Sequence, residues 1–136
     1  MNLTLRASHR IPARRFIIYL PDNNRYGERI DNIEDWVREA CLLLTRINGG
    51  ATRLAPAQGL WLNEEDNRLI TETTHIVFSC VTGTAFLQNL ELIRAFIARF
   101  SRETSQESVA VEFDGSIYFI SDDAIAGEER QRERVH

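Results

Sequence analysis

The chain has 136 residues, of which 43% are apolar and 26% charged. That is enough for one core, too little for two ordinary domains, and unlike the composition of disordered or collagen-like chains. A net charge of −4 gives no general attraction for nucleic acid or anionic lipid. All 16 basic residues are arginine, so chemistry that needs a lysine amine, such as a Schiff base or the lysine of a phosphate-binding P-loop, is excluded. Coding bias in a GC-rich genome is the simplest cause of that composition.

In chain order, residues 1–15 carry Arg6, Arg10, Arg14, Arg15 and His9 with no acid and read as a basic, flexible arm. Phe16 to Leu20 is a short β-favouring apolar run closed by Pro21, predicting a strand in the middle of a sheet. Asp31 followed by Glu34 resembles a capping box. Behind it Ile33, Trp36, Val37, Ala40, Cys41, Leu44 and Ile47 recur at helical spacing, ending at Gly49 and Gly50. Ala51 to Leu54 and Leu60 to Leu62 read as extended pieces interrupted by Pro56 and Gly59, hence an edge or bulged strand.

Asn63 to Asn67 is a polar turn, with Glu64, Glu65 and Asp66 as a solvated acidic tip. Arg68 to Thr82 returns as a strand, with Ile76, Phe78 and Cys80 on one side and His75, Val77, Ser79 and Val81 on the other. A second helix is predicted from about Thr84 to Arg102, its core face built from Phe86, Leu90, Ile93, Ile97 and Phe100, with Leu92 and Phe96 widening the stripe. Val109, Val111 and Phe113 alternate into Asp114-Gly115, a strong hairpin signal, and Ser116 to Ile120 forms the last strand. Residues 121–136 read as a charged, loose tail.

This order predicts an α+β, ferredoxin-like split β-α-β domain over residues 16–120, with two helices on one face of an antiparallel sheet and an extra C-terminal hairpin strand. The other face is then open, and apolar residues such as Val77 and Val81 would need covering by the tail or a second copy, which predicts a homodimer. Trp61, Val77, Val81, Arg14 and Arg15 are the candidate interface or binding residues. Cys41 and Cys80, each among apolar neighbours and outside any ligand spacing, read as buried free thiols. No apolar run reaches the roughly 20 residues of a membrane span, and no secretory segment is evident at the start, so the expected compartment is the cytoplasm.

Three residues merit weighing for catalysis. Asp22, just past the first strand, is where a ferredoxin-like nuclease could hold a divalent ion, with Glu72 and His75 the only residues to bring near it. The local reading, a Pro-Asp-Asn-Asn turn, is favoured for Asp22, and a hydrogen-bonded structural role for His75. Trp61 could stack on a base or planar ligand, though a core or interface anchor is the simpler role. Contact of the basic arm with nucleic acid is opposed by Glu112 and Asp114 on the last hairpin.

Phe-Ile-Ile-Tyr-Leu-Pro at 16–21, Trp36 with its helix, Gly49-Gly50-Ala51-Thr52, Gly59-Leu60-Trp61 and Glu72 together resemble a set of small uncharacterised bacterial α+β (ferredoxin-like) proteins. The resemblance implies a compact α+β domain and brings no activity, cofactor or site residue. With no catalytic spacing evident, the expectation is a non-enzymatic protein-interaction or regulatory subunit acting as an oligomer, without a cofactor. A metal-dependent phosphodiesterase or nuclease using Asp22, and a small-molecule sensor, are the alternatives.

Overall fold

The computed structural model describes residues 5–121; the tail expected at 121–136 lies, beyond its first residue, outside them. The fold is α+β, with an open antiparallel sheet of six strands. Strand β1 (Arg14–Pro21) leads to helix α1 (Ile33–Asn48), then β2 (Thr52–Arg53), β3 (Ala57–Asn63) and β4 (Arg68–Val81). Helices α2 (Ala85–Gln88) and α3 (Leu90–Glu103) and the hairpin β5 (Val109–Phe113) and β6 (Ser116–Ile120) complete it. The sheet order is β2-β4-β1-β5-β6, with β3 also paired to β4. The predicted first strand is therefore central, flanked by β4 and β5.

Local chemistry explains most boundaries. Gly49, at φ 89°, takes the left-handed conformation that ends α1, and its N–H donates to the Thr45 carbonyl at 2.8 Å. The expected capping box does not form: Asn32 is the N-cap and makes no side-chain capping bond, leaving Glu34 and Asp35 to complement the helix dipole in the first turn. The long second helix is broken at Asn89, whose side-chain amide donates to the Ala85 carbonyl at 2.7 Å. That break turns Leu90 and Leu92 to solvent, whereas Phe86, Ile93, Phe96, Ile97 and Phe100 reach the core. At the final hairpin Asp114 and Gly115 both have positive φ, as the two-residue turn requires.

One sheet face meets the helices. Phe16, Ile18 and Leu20 of β1, Val77 and Val81 of β4, and Val109 and Val111 of β5 join Ile33, Trp36, Val37, Ala40 and Leu44 of α1 and the aromatic residues of α2 and α3 in a single core. Trp36 sits edge-on to Phe100 with ring centroids 5.4 Å apart, and Phe16 packs on Phe86 at 5.0 Å. Ser79 ties the layers together, donating to the Gly50 carbonyl at 2.5 Å and accepting from the Asn48 amide at 3.1 Å.

The sheet faces are the reverse of those expected. Val77 and Val81 are 0% and 2% exposed, under the helices, and cannot belong to an interface. The uncovered face instead carries Ile17, Tyr19, Ile76, Phe78, Cys80, Ala110, Glu112, Ile117 and Phe119, as the pairing register dictates. Period-2 alternation separates two sets of residues but does not say which set the helices take, and here both sets are apolar. Cys80 is exposed as a consequence, not a buried thiol; Cys41 is partly buried, and both are free. No helix among the described residues is long and apolar enough to cross a membrane.

Phe100 is fully buried between helix and sheet. Phe100→Ala is expected to cost about 3–5 kcal/mol in urea unfolding, by the usual cavity penalty, while Leu92→Ala on the exposed side of α3 changes stability by less than about 0.5 kcal/mol. Equal effects at the two positions would contradict this assignment of the core.

Candidate functional site

Strand β4 is longer than β1, which pairs only with its second half, Thr74 to Val81. The first half runs on as a two-stranded arm with β3, closed by the turn at 64–67. Asn63 and Asp66 secure this turn by accepting from the N–H groups of Glu65 at 3.0 Å and Arg68 at 3.1 Å. Leu60, Trp61, Leu62 and Leu69 of the arm are exposed. In the register, Trp61 pairs with Ile70 and Gly59 with Glu72, so Trp61 and Glu72 are diagonal neighbours on one face. Trp61 is 51% exposed, and its indole is the side chain that favours the charged form of the Glu72 carboxylate. Gly59 adds no side chain beside Glu72; a Cβ there would sit 3.7 Å from the Glu72 carbonyl oxygen.

Glu72 is half-buried, and its pKa is raised above the ordinary carboxylate value. Burial is the largest cause, the Asp22 charge adds to it, and Trp61 opposes it. The second acid on this face is Glu112 of β5, whose Oε1 accepts from the Tyr19 hydroxyl at 3.0 Å. Burial, then that bond and the Glu112 charge, raise the Tyr19 pKa. Arg15 lies over the Phe78 ring at 4.6 Å and Arg14 over Phe113 at 5.0 Å, with an Arg14–Asp114 contact of 3.8 Å.

Of the three residues weighed for catalysis, Asp22 and His75 meet at the end of β1, whereas Glu72 lies on the opposite face of β4. His75 is 3% exposed and its Nε2 lies 2.7 Å from Asp22 Oδ1. Asp22 is anchored by its N–H donating to the Thr73 carbonyl at 2.9 Å, one residue from Glu72. The local turn role proposed for Asp22 belongs to Asn24, whose Oδ1 accepts from the N–H groups of Tyr26 at 2.9 Å and Glu28 at 3.0 Å. Two participants were not among the residues weighed for the site. Arg53 approaches His75 Nδ1 at 3.4 Å and forms an ion pair with Glu34 of α1 at 2.6 Å, which lowers the Glu34 pKa.

The result is an apolar sheet face with two carboxylates, Glu112 hydrogen-bonded by the Tyr19 hydroxyl and Glu72 diagonal to Trp61. Such a face attracts a cation that also has apolar or aromatic surface. Among the described residues no group of three or more His, Cys, Asp or Glu side chains is placed to hold a metal ion. A shallow concavity of about 200 Å³ near Arg25, Tyr26 and Ser101 shares no residue with this cluster.

No family model and no curated protein matches the chain. Among solved structures, the fold is similar to a phage SAM lyase in complex with S-methyl-5′-thioadenosine, at 18% identity and TM-score 0.58, over 85% of this chain and 95% of that one. The same match to a phage SAM lyase in the apo state gives 17% identity and TM-score 0.56, with the same coverage. These likenesses overturn the expectation of a non-enzymatic interaction or regulatory subunit: the solved structures that share the fold are of an enzyme, a phage SAM lyase. The emphasis on protein–protein interaction goes with it, and neither the nuclease nor the sensor alternative is carried further.

The raised Glu72 pKa has a defined consequence for stability. Because the folded-state value lies above the unfolded one, the native state holds more protons between the two, and stability falls as pH rises through that window. Glu72→Gln removes this dependence. Thermal unfolding is expected to show the variant more stable than the parent at neutral pH, with the gap closing below the usual carboxylate range of about pH 4. A parent that gains stability over the variant as pH rises would refute the buried, proton-retaining carboxylate.

Proposed function

We propose that this chain is an S-adenosylmethionine lyase that binds its substrate on the uncovered sheet face and releases S-methyl-5′-thioadenosine. The observation that carries the reading is Glu72: a half-buried carboxylate on an apolar face, with the exposed Trp61 its diagonal neighbour on the paired strand. The similarity in fold to a phage SAM lyase supports it.

The chemistry suits such a face. S-adenosylmethionine carries a sulfonium and an ammonium, and its adenine is a flat aromatic ring. Glu72 supplies the counter-charge for the cationic arm. The Trp61 ring offers a π surface to the sulfonium or the adenine, worth about 1–3 kcal/mol for a stacked base. Tyr19 and Glu112 supply a second polar pair on the same face.

Breaking the bond between sulfur and the four-carbon arm turns a sulfonium into a neutral thioether, with the bonding electrons leaving on sulfur. In a lyase the arm makes its own new bond, either by attack of its carboxylate on the carbon that sulfur leaves or by loss of a proton to form a double bond, and no water enters the products. The first route cancels opposite charges and is favoured where Ile17, Ile76 and Phe78 exclude water. The overall acidic balance of the chain also draws a cationic substrate.

The test is incubation with S-adenosylmethionine in ¹⁸O-water, following products by chromatography and mass spectrometry. The expected result is S-methyl-5′-thioadenosine with no ¹⁸O in the nascent four-carbon product. Loss of the counter-charge in Glu72→Gln should lower kcat/KM by about 100-fold or more. Absence of the thioether nucleoside, or its equal production by Glu72→Gln, would defeat the proposal.

We also propose self-association as a homodimer, supported by the exposed Leu60, Leu62 and Leu69 on the arm. Light scattering after size exclusion is expected to give a mass above that of one chain at micromolar concentration; a single-chain mass would reject it.

A further inference from the structure

A concavity of about 200 Å³ lies between the loop that follows β1 and the turn from α3 into β5, and it shares no residue with the Glu72 face. Hydrogen bonds strap its two walls together. Asn24 Oδ1 accepts from the Tyr26 and Glu28 N–H groups at 2.9 and 3.0 Å, and the Arg25 N–H donates to the Ser105 carbonyl at 3.0 Å. The Gln106 side-chain amide donates to the Asn23 carbonyl at 3.1 Å and to the Thr104 hydroxyl oxygen at 3.2 Å. Ser105 is held at φ 53°, a left-handed conformation that a serine rarely adopts.

Arg25 from one wall and Glu107 from the other line this space with opposite charges. Among the described residues neither forms an ion pair, and the Arg25 guanidinium lies by the Tyr26 ring, 6.0 Å from its centroid. Opposite charges that share a concavity without meeting leave the gap between them to a ligand that carries both signs. The other lining groups sort the same way. Arg102 adds positive charge. The Ser101 hydroxyl, in a residue 2% exposed, already donates to the Gln106 carbonyl at 3.3 Å, so its oxygen is left to accept from a ligand. Ser101 also sits near the C-terminal end of α3, where the helix dipole is negative and favours a cation.

Volume limits the ligand. About 200 Å³ is below the roughly 300 Å³ at which pockets for drug-sized molecules begin, which excludes a nucleoside and admits a small metabolite. Inorganic phosphate, which arginines alone would attract, is opposed by the Glu107 carboxylate and by the dipole of α3.

We propose that this concavity binds a free α-amino acid with a short side chain. Its carboxylate meets Arg25, its ammonium meets Glu107 and the Ser101 oxygen, and its side chain lies by the exposed Tyr26 ring. The site stands apart from the Glu72 face and does not depend on the lyase reading.

Homoserine, a four-carbon amino acid, is the probe, titrated into the ¹⁵N-labelled full chain. Propanolamine is the same molecule without its carboxylate, and γ-hydroxybutyrate the same without its ammonium. Homoserine is expected to shift the backbone amides of Tyr26 and Ser105 saturably, with a Kd of about 1 mM or tighter, while the Trp61 indole signal stays unmoved. Each one-charge analogue, and phosphate, is expected to bind at least about tenfold more weakly. Arg25→Gln and Glu107→Gln are each expected to weaken homoserine about tenfold or more. Both side chains are exposed, so the variants keep the fold, which an unmoved Phe100 amide confirms.

An unchanged homoserine Kd in either variant overturns the proposal, as does an analogue or phosphate that binds as tightly as homoserine. So does a shift confined to Trp61, or no saturable shift up to about 10 mM. None of these readouts uses turnover: a chain that fails to cleave S-adenosylmethionine can still bind the amino acid, and one that cleaves it can fail this test.

Discussion

The pairing of β1 with β4, in a register that sets Leu20 opposite His75 and Pro21 opposite Thr74, is the constraint on which the site depends. A slip by one residue would exchange the two faces of β4, putting Val77 and Val81 in solvent and Phe78 under the helices. The buried contacts of Phe16, Ile18 and Leu20 with α1, α2 and α3 hold that register. Since β1 stops at Pro21 while β4 begins at Arg68, the register also leaves β4 projecting as an arm. The end of β1 therefore delivers Asp22 to the place where β4 changes from covered strand to free arm, between His75 on one face and Glu72 on the other.

That junction accounts for the electrostatics. On the helix side, charge is matched: Glu34 with Arg53, and Asp22 with His75. On the uncovered side Glu112 is met by the neutral Tyr19 hydroxyl, and Glu72 lies diagonal to the neutral Trp61. A half-buried carboxylate beside a neutral side chain costs stability at neutral pH, and such costs are typical of sites arranged for a ligand rather than for the fold. The apolar neighbours Ile17, Ile76 and Phe78 increase that cost and, by the same low polarity, increase the attraction for a cation.

Much of the architecture was legible because local signals agreed. The Phe16 to Leu20 run, the helical stripe from Ile33 to Ile47, the glycine stop at Gly49 and the Asp114-Gly115 turn each gave an element close to its observed bounds. The side of the sheet was not legible, since Ile76 and Phe78 are as apolar as Val77 and Val81. The break at Asn89 was hidden because asparagine within a helix pattern is unremarkable until its side chain bonds the Ala85 carbonyl.

For the site, strand-end position drew attention to Asp22, with Glu72 and His75 weighed as the residues of the returning strand to bring near it, while a turn role for Asp22 and a structural role for His75 were favoured. The Trp61–Glu72 juxtaposition was implicit in the turn at 64–67, because pairing Asn63 with Arg68 places Gly59 opposite Glu72. Arg53 and Glu34 carry no such signal: their meeting depends on how β2 and α1 pack, which no local pattern encodes. Likewise the acidic pair on the uncovered face emerges only when Tyr19 and Glu112, 93 residues apart in sequence, are brought together.

The chain has two tryptophans, and they occupy opposite sides of the sheet: Trp36 in the core against Phe96 and Phe100, Trp61 on the arm diagonal to Glu72. Their indole N–H signals in a ¹⁵N NMR titration with S-methyl-5′-thioadenosine therefore report directly on which face binds. The account predicts a saturable shift of the Trp61 signal with the Trp36 signal unmoved. A saturable shift confined to Trp36, or none at either ring up to millimolar ligand, would contradict it.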